Sequence, residues 1–400
     1  MSIAQPSSFG HALLPHWGLD PELTYLNHGT VGAVPRVVLA AQRAVQDGIE
    51  RSPARFLLRE LADVRQIPMR MPPRMRTAAA PIAAFLGADP DDLVFVDNAT
   101  AGCNAVLRSW PFRAGDGILV TDHGYGAVTN AARYAAERAG AHVRTVTLPW
   151  PLVTPESVLA AIVDAIGPET RMLVVDHVTS GSALVLPVQA IAAACRERGV
   201  LTLVDAAHAP GMLPVDLRSL GVDFWTGNLH KWAMSQRSSA VLWARREWQE
   251  HLHPTVVSWG HGLGMSAEFD LAGTRDPSPH LAAPAGLEFL QRLGLDAVRE
   301  WNHRLAWDAA VHFTERWGTR IPAPESMYGS MVTIPFPESW DASAPAVQAL
   351  KDALLYEDGI EAQMHAFAGR AWLRLAAQVY NDAADLERLW EAIARRGPRA

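Results

Sequence analysis

Of the 35 basic residues in this 400-residue chain, only Lys231 and Lys351 are lysines. Arginine stays cationic, whereas a desolvated lysine can act as a neutral amine and condense with a carbonyl. Lys231 lies in Asn228-Leu229-His230-Lys231-Trp232. It is either kept for chemistry that arginine cannot do or is a bystander on a loop. Asp205-Ala206-Ala207-His208 stands 26 residues earlier, directly after the apolar run Leu201-Thr202-Leu203-Val204. A carboxylate at the carboxyl end of a buried strand faces a ligand crevice; the competing reading is a helix N-cap with a satisfied core histidine. Ala99, Thr100 and Ala101, after Asp97-Asn98, offer free amides and a hydroxyl at a helix start, an arrangement suited to phosphate but shared by many capped helices. In Thr121-Asp122-His123-Gly124-Tyr125, an imidazole and a phenol follow another apolar run and could stack on a flat ring.

Such residues need a scaffold that gathers strand ends. Apolar runs at 93–96, 118–121, 143–146, 172–175, 201–204, 223–225 and 239–243 read as strands buried on both faces of a mostly parallel sheet. Ala-rich amphipathic stretches at 127–139, 155–166 and 187–198 read as crossover helices, with Pro155 and Pro187 in first turns. The fold class is therefore α/β, a large doubly wound domain. After residue 295 the order becomes helix (295–317), strand (331–336), helix (344–356), strand (372–376) and helix (383–396), a smaller α+β domain. The expected division is an N-terminal arm and substrate entrance at 1–35, a large domain at 36–293 and a small domain at 294–400. The Pro/Met/Arg run 66–76 reads as a solvated loop whose arginines could meet an acidic partner.

Net charge −7 and a pI near 6.1 disfavour nucleic acid or an anionic membrane as the main partner. Two cysteines, Cys103 and Cys195, exclude a disulfide framework or a Cys-rich metal site, so no metal is expected. No secretion signal or membrane-length apolar run is present, and the expected location is cytoplasmic.

The Asp205/His208 pair followed by His230-Lys231 sets a carboxylate and an amine on opposite sides of one small aromatic aldehyde, as pyridoxal 5′-phosphate requires. At this point the chain resembles a known family: the class V, fold-type I aminotransferase superfamily, and within it the isopenicillin N epimerase-like branch. The resemblance runs from Tyr25-Leu26-Asn27-His28-Gly29-Thr30 to Leu373-Arg374-Leu375 and Tyr380-Asn381. It includes Asp-Asn-Ala-Thr (97–100), Thr-Asp-His (121–123), Asp-His-Val-Thr-Ser (176–180) and Gly-Thr-Arg-Asp-Pro (273–277) in family order.

The resemblance implies pyridoxal phosphate, with Lys231 as the Schiff-base lysine, Asp205 at the pyridine nitrogen and His208 at the ring hydroxyl. It implies that His123 stacks on the ring, that Ser180 makes a polar cofactor contact, and that Ala99, Thr100, Ala101, Asn228 and His230 hold the phosphate. Gly273 and Thr274 would reach the phosphate of a second subunit, implying a homodimer with shared sites. Arg374 would clamp a substrate carboxylate, with Asn27, His28 and Tyr125 on the substrate side; Gly124 and Gly126 depart from the bulkier residues usual there. The implied activity is epimerisation or C–S bond elimination on an amino acid. Transamination, and cofactor binding without turnover, are the alternatives. Cysteine desulfurase chemistry is disfavoured because residues 318–373 contain no cysteine.

Overall fold

The computed structural model describes residues 9–65 and 69–397. Seven of the apolar runs form one sheet: β2 (Leu93–Val96), β3 (Gly117–Thr121), β4 (His142–Val146), β5 (Thr170–Asp176), β6 (Leu201–Asp205), β7 (Phe224–Asn228) and β8 (Ala240–Ala244). Their order is β2-β8-β7-β6-β5-β3-β4. The strands from β7 to β4 run parallel, while β8 is antiparallel to both its neighbours. Alternate residues serve two cores. Phe95, Leu119, Leu173, Val175, Val204 and Trp225 pack on one face, and Val94, Ile118, Val120, Met172, Val174 and Leu203 on the other. Burial on both faces is why these runs carry no polar alternation; the run at 143–146 departs from that expectation, because β4 is an edge strand with His142, Arg144 and Thr145 exposed.

Helices Gly126–Ala139, Pro155–Ala165 and Val188–Arg196 make the crossovers. Thr154 caps the second of these by accepting from the Ser157 amide, with Pro155 in its first turn. Pro187 stands one residue outside its helix, as the N-cap. No helix among the described residues is long and apolar enough to cross a membrane.

The long helix Leu295–Trp317 leads into a three-stranded antiparallel sheet of order β11-β12-β9, made of β9 (Val332–Pro335), β11 (Gln363–Phe367) and β12 (Arg370–Leu375). Two two-residue strands, β1 (Thr24–Tyr25) and β10 (Ile360–Glu361), pair in parallel. With the bridge Asn27↔Ala376 they tie the N-terminal segment to the end of the chain.

Part of the 66–76 run departs from expectation. Gln66, Ile67 and Pro68 lie outside the described residues. Beyond Pro73 the run is no loop but the start of helix Arg74–Phe85. Two of its arginines, Arg74 and Arg76, meet acids of the chain itself. Arg74 donates to Glu60 at 2.6 Å, and Arg76 holds Asp270 by two bonds while donating to the Leu93 carbonyl at 2.8 Å.

Candidate active site

Because β2, β3, β5, β6 and β7 share one direction, Val96, Thr121, Asp176, Asp205 and Asn228 end at the same edge of the sheet. The turn after Asn228 carries Lys231 over that edge, and two glycines let other segments press on its backbone. A Cβ on Gly32 (φ +59°) would overlap the His230 carbonyl, and one on Gly211 (φ +88°) the Trp232 carbonyl.

The Lys231 amine lies 3.3 Å from His208 Nε2. Trp232 Nε1 donates to His208 Nδ1 at 3.4 Å, and an indole can only donate. His208 Nδ1 is therefore the acceptor and Nε2 carries the proton, so a neutral Lys231 amine can accept from it. The electrostatics agree. Burial, and then the Arg374 charge, push the Lys231 ammonium from 10.5 down to about 8, against the opposing pull of Asp205 and Asp176. Burial and the Lys231 charge also hold His208 well below the usual imidazole range.

Asp205 is buried and caps no helix; its carboxylate accepts from the Ala207 amide at 3.0 Å. Its in-register neighbour across the β5/β6 pair is Asp176. Two buried carboxylates side by side do not both ionise readily. Burial, then the charge of Asp205, raise Asp176 well above the carboxylate range, while Asp205 is raised by burial and pulled back by the Ala207 amide and Lys231. Asp176 is thus the member pushed further toward the neutral form, while the Ala207 amide and Lys231 favour the charged form of Asp205. The sequence reading gave Asp176 no role, because the juxtaposition exists only through strand register.

Arg374, on β12, is 2% exposed, and among the described residues its hydrogen-bond partners are neutral. It donates to the Ser180 carbonyl at 2.7 Å, to Asn27 Oδ1 at 3.1 Å and to the Thr30 hydroxyl, while Nε has no partner. Without an acidic partner, its guanidinium is pushed by burial from 12.5 down to about 10. Asn27 and Ser180 therefore position Arg374, and Thr30, which the sequence reading passed over, joins them. His28 does not line an entrance. It is fully buried, with Nδ1 2.9 Å from the Tyr380 hydroxyl and Nε2 3.1 Å from the Lys231 carbonyl. Its place is beneath the lysine.

At the start of helix Ala99–Ser109, two of the expected phosphate donors are already engaged. The Ala99 amide donates to Asn228 Oδ1 and the Ala101 amide to Asn98 Oδ1, both at 2.8 Å. The Thr100 amide and hydroxyl are left, among the described residues, without a partner. His230 is held through Nδ1 by the Ser239 carbonyl at 3.2 Å, and burial lowers it to about 4. His123 is buried with Nδ1 on Ser182 Oγ at 2.7 Å, and its Nε2 has no partner. Tyr125 is 46% exposed. Gly273 is half-buried and Thr274 exposed in a bend, and neighbouring Arg275 pairs with Asp97 at 3.0 Å, beside the same helix start.

Pyridoxal phosphate fits these residues. The site has a desolvated amine, a buried carboxylate whose charged form Lys231 and the Ala207 amide favour, an uncapped amide at a helix start, and two buried polar atoms, His123 Nε2 and Thr226 Oγ1, that lack partners among the described residues.

Comparisons with known proteins agree with this geometry. The family described as "Aminotransferase class-V" matches residues 59–389. The chain is 32% identical to a probable chloroplastic L-cysteine desulfhydrase of Arabidopsis thaliana, over 94% of this chain and 83% of that protein. It is 33% identical to an isopenicillin N epimerase of Amycolatopsis lactamdurans, over 94% and 95%. Among solved structures, the cystine C–S lyase C-DES with cysteine persulfide superposes with a TM-score of 0.77 at 22% identity, over 94% of this chain and 99% of that one. The cysteine desulfurase CsdA of Escherichia coli gives 0.77 at 19%, over 97% and 98%. At such identities the structures share the fold.

Proposed function

The chain belongs to the class-V aminotransferase family and is a pyridoxal phosphate-dependent enzyme, and from that premise we propose that it eliminates a sulfur substituent from an amino acid. The relatives named L-cysteine desulfhydrase support this chemistry. The observation that carries it is the pairing of one desolvated amine, Lys231, with one buried guanidinium, Arg374, that has no counter-ion among the described residues. A buried cation with only neutral partners is costly unless an anion arrives, and a substrate α-carboxylate is such an anion, taken best by a guanidinium fork.

When bound, pyridoxal phosphate supplies the carbonyl that takes the substrate amine and a ring that accepts electrons released at Cα. Asp205 would keep the ring nitrogen protonated, with Asp176 beside it holding the neutral carboxyl. His123 would lie against the ring and His208 and Ser180 near its hydroxyl. Thr100 and His230 would hold the phosphate, with the amides of Ala99 and Ala101 and the Asn228 side chain shaping the cradle. Lys231 takes the Cα proton as its neutral amine and can return it to the leaving group; His28, bonded to its carbonyl, fixes the turn that aims it.

Elimination asks for nothing more than this base and a leaving group. Epimerisation needs a second acid/base on the far side of Cα. The unpartnered His123 Nε2 is the one observation that favours that second reading, and the isopenicillin N epimerase relatives keep it in view. Incubation of the holoenzyme with candidate amino acids in deuterated water separates the outcomes. Pyruvate and ammonia are expected; deuterium at an inverted Cα would overturn elimination in favour of epimerisation, and a keto acid with pyridoxamine phosphate would indicate transamination.

The active unit is a homodimer in this reading, Gly273 and Thr274 of each subunit reaching the partner's phosphate. The preceding loop, with Trp259 82% exposed and Val256 and Val257 each 57% exposed, supports a covered surface there. The two buried free cysteines support a cytoplasmic location. The arm, large-domain and small-domain boundaries at 35/36 and 293/294 complete the assignment, the second falling where Gly294 caps the long helix.

A further inference from the structure

A cleft of about 280 Å³ opens beside the site, sharing His123 and Ser180 with it. Through the Ser180 carbonyl, which accepts from Arg374 at 2.7 Å, it borders the residue that would hold the substrate carboxylate. Its walls are aromatic. Trp150 packs against Trp372 with ring centroids 4.9 Å apart, against His123 edge-on at 5.0 Å, and against Phe367 at 6.2 Å. Glycine keeps the cleft open: a Cβ on Gly126 or Gly181 would meet nothing within 4 Å. The departure at 124–126 noticed in the sequence thus has a spatial consequence, since a bulkier residue at 126 would project into this space.

The size is far beyond what a thiol needs. An apolar cavity of about 150 Å³ already accommodates benzene. The charge balance also restricts the occupant. Burial lowers His365 to about 4 and His123 below the usual imidazole range, so both are neutral at pH 7. The carboxylate on the wall, Asp122, accepts from the Leu148 amide at 3.0 Å. Two buried nitrogens, Trp150 Nε1 and His365 Nε2, have no partner, and the indole can only donate. Aromatic walls and neutral imidazoles suit an occupant that is largely apolar and flat enough to lie among rings.

We propose that this cleft seats the β-substituent of the substrate, and that the substrate is a cysteine S-conjugate carrying an aromatic ring on sulfur. The inference rests on the elimination reading above. Lys231 takes the Cα proton and the Cβ–S bond breaks with both electrons leaving on sulfur. The arylthiolate takes up that proton to depart as an arylthiol, and the three-carbon enamine adds water to give pyruvate and ammonium. No oxidant or reductant is needed. Ring stacking supplies selectivity for aryl over alkyl conjugates.

Two measurements on the holoenzyme test this. The first compares kcat/KM for pyruvate release from S-phenyl-L-cysteine, S-methyl-L-cysteine and L-cysteine. The second measures binding of 3-(phenylthio)propionate and 3-(methylthio)propionate, which keep the carboxylate and sulfur but lack the amine. Burying a phenyl ring predicts a preference on the order of 10- to 100-fold for the phenyl member of each pair. Gly126→Leu should abolish that preference at unchanged melting temperature and cofactor absorption. Equal values for phenyl and methyl members, or tighter binding of a trimethylammonium analogue, would overturn the cleft assignment even if L-cysteine is cleaved. Selective binding of the phenyl probe with no pyruvate from any conjugate would instead overturn the elimination reading and the S-conjugate substrate, leaving only an aryl-binding cleft.

Discussion

Replacing Arg374 by glutamine separates what its burial costs from what it does. Burial moves the guanidinium from 12.5 to about 10, and at about 1.4 kcal/mol per decade the folded protein is destabilised by about 3 kcal/mol while that charge is held at neutral pH. Glutamine removes this cost but takes one donor each from the Ser180 carbonyl, Asn27 Oδ1 and the Thr30 hydroxyl, the last two keeping their mutual bond, at about 1 kcal/mol each. The two effects nearly offset, so the variant should melt within about 1.5 kcal/mol of the parent. Catalysis should not be spared. Two charge-assisted hydrogen bonds to a substrate carboxylate are together worth about 3–4 kcal/mol, a loss of roughly 100- to 1000-fold in kcat/KM. The assay is pyruvate release at subsaturating substrate, with the visible absorption band confirming equal cofactor content. A loss below tenfold at equal cofactor content would refute Arg374 as the carboxylate anchor, and a large drop in melting temperature would refute the account of its burial. Arg374→Lys should recover little, since an ammonium does not reproduce the planar fork.

With Lys231 held near 8 in the apoprotein, the rate of its condensation with pyridoxal phosphate should rise with pH to an inflection near 8; an inflection near 10 would contradict its desolvation. Asp176 is raised in the folded state, so the native protein binds more protons than the unfolded chain between the ordinary carboxylate value and its raised one, and stability falls as pH rises through that window. Asp176→Asn removes that contribution. The difference in melting temperature between pH 5 and pH 8 should shrink, and an unchanged difference would place the proton elsewhere. Cys103 and Cys195 are buried, with thiols pushed up by burial, Cys195 to about 12. Replacing both by alanine should cost about 1 kcal/mol of stability each and leave pyruvate formation within about twofold; loss of turnover at retained fold would bring a thiol into the chemistry.

The central sheet was legible because strands buried on both faces leave uninterrupted apolar runs, and the Pro- and Thr-capped crossovers punctuate them. The reversed direction of β8 left no such trace, since Ala240–Ala244 has the composition of the parallel strands of the sheet. The pairing of β1 with β10 was hidden for the opposite reason: two-residue strands have no periodicity to read. Within the site, Lys231 and Asp205 stood out by residue type and spacing, whereas Arg374, one of many arginines, was marked only by the family resemblance. His28 was misplaced because its motif points to the N-terminal entrance, whereas burial under Lys231 follows from packing against Tyr380. Asp176 and Thr30 gained meaning from contacts across β5/β6 and to β12, which no local pattern encodes.

The claim beneath all of this is that Lys231 carries the cofactor, and the scarcity of lysine makes it directly testable. Holoenzyme reduced with borohydride and digested should carry a pyridoxyl phosphate adduct on the peptide containing Lys231. Lys351 is the only other lysine in the chain and should remain unmodified. An adduct on Lys351, or none on either lysine in protein reconstituted with pyridoxal phosphate, would contradict the account.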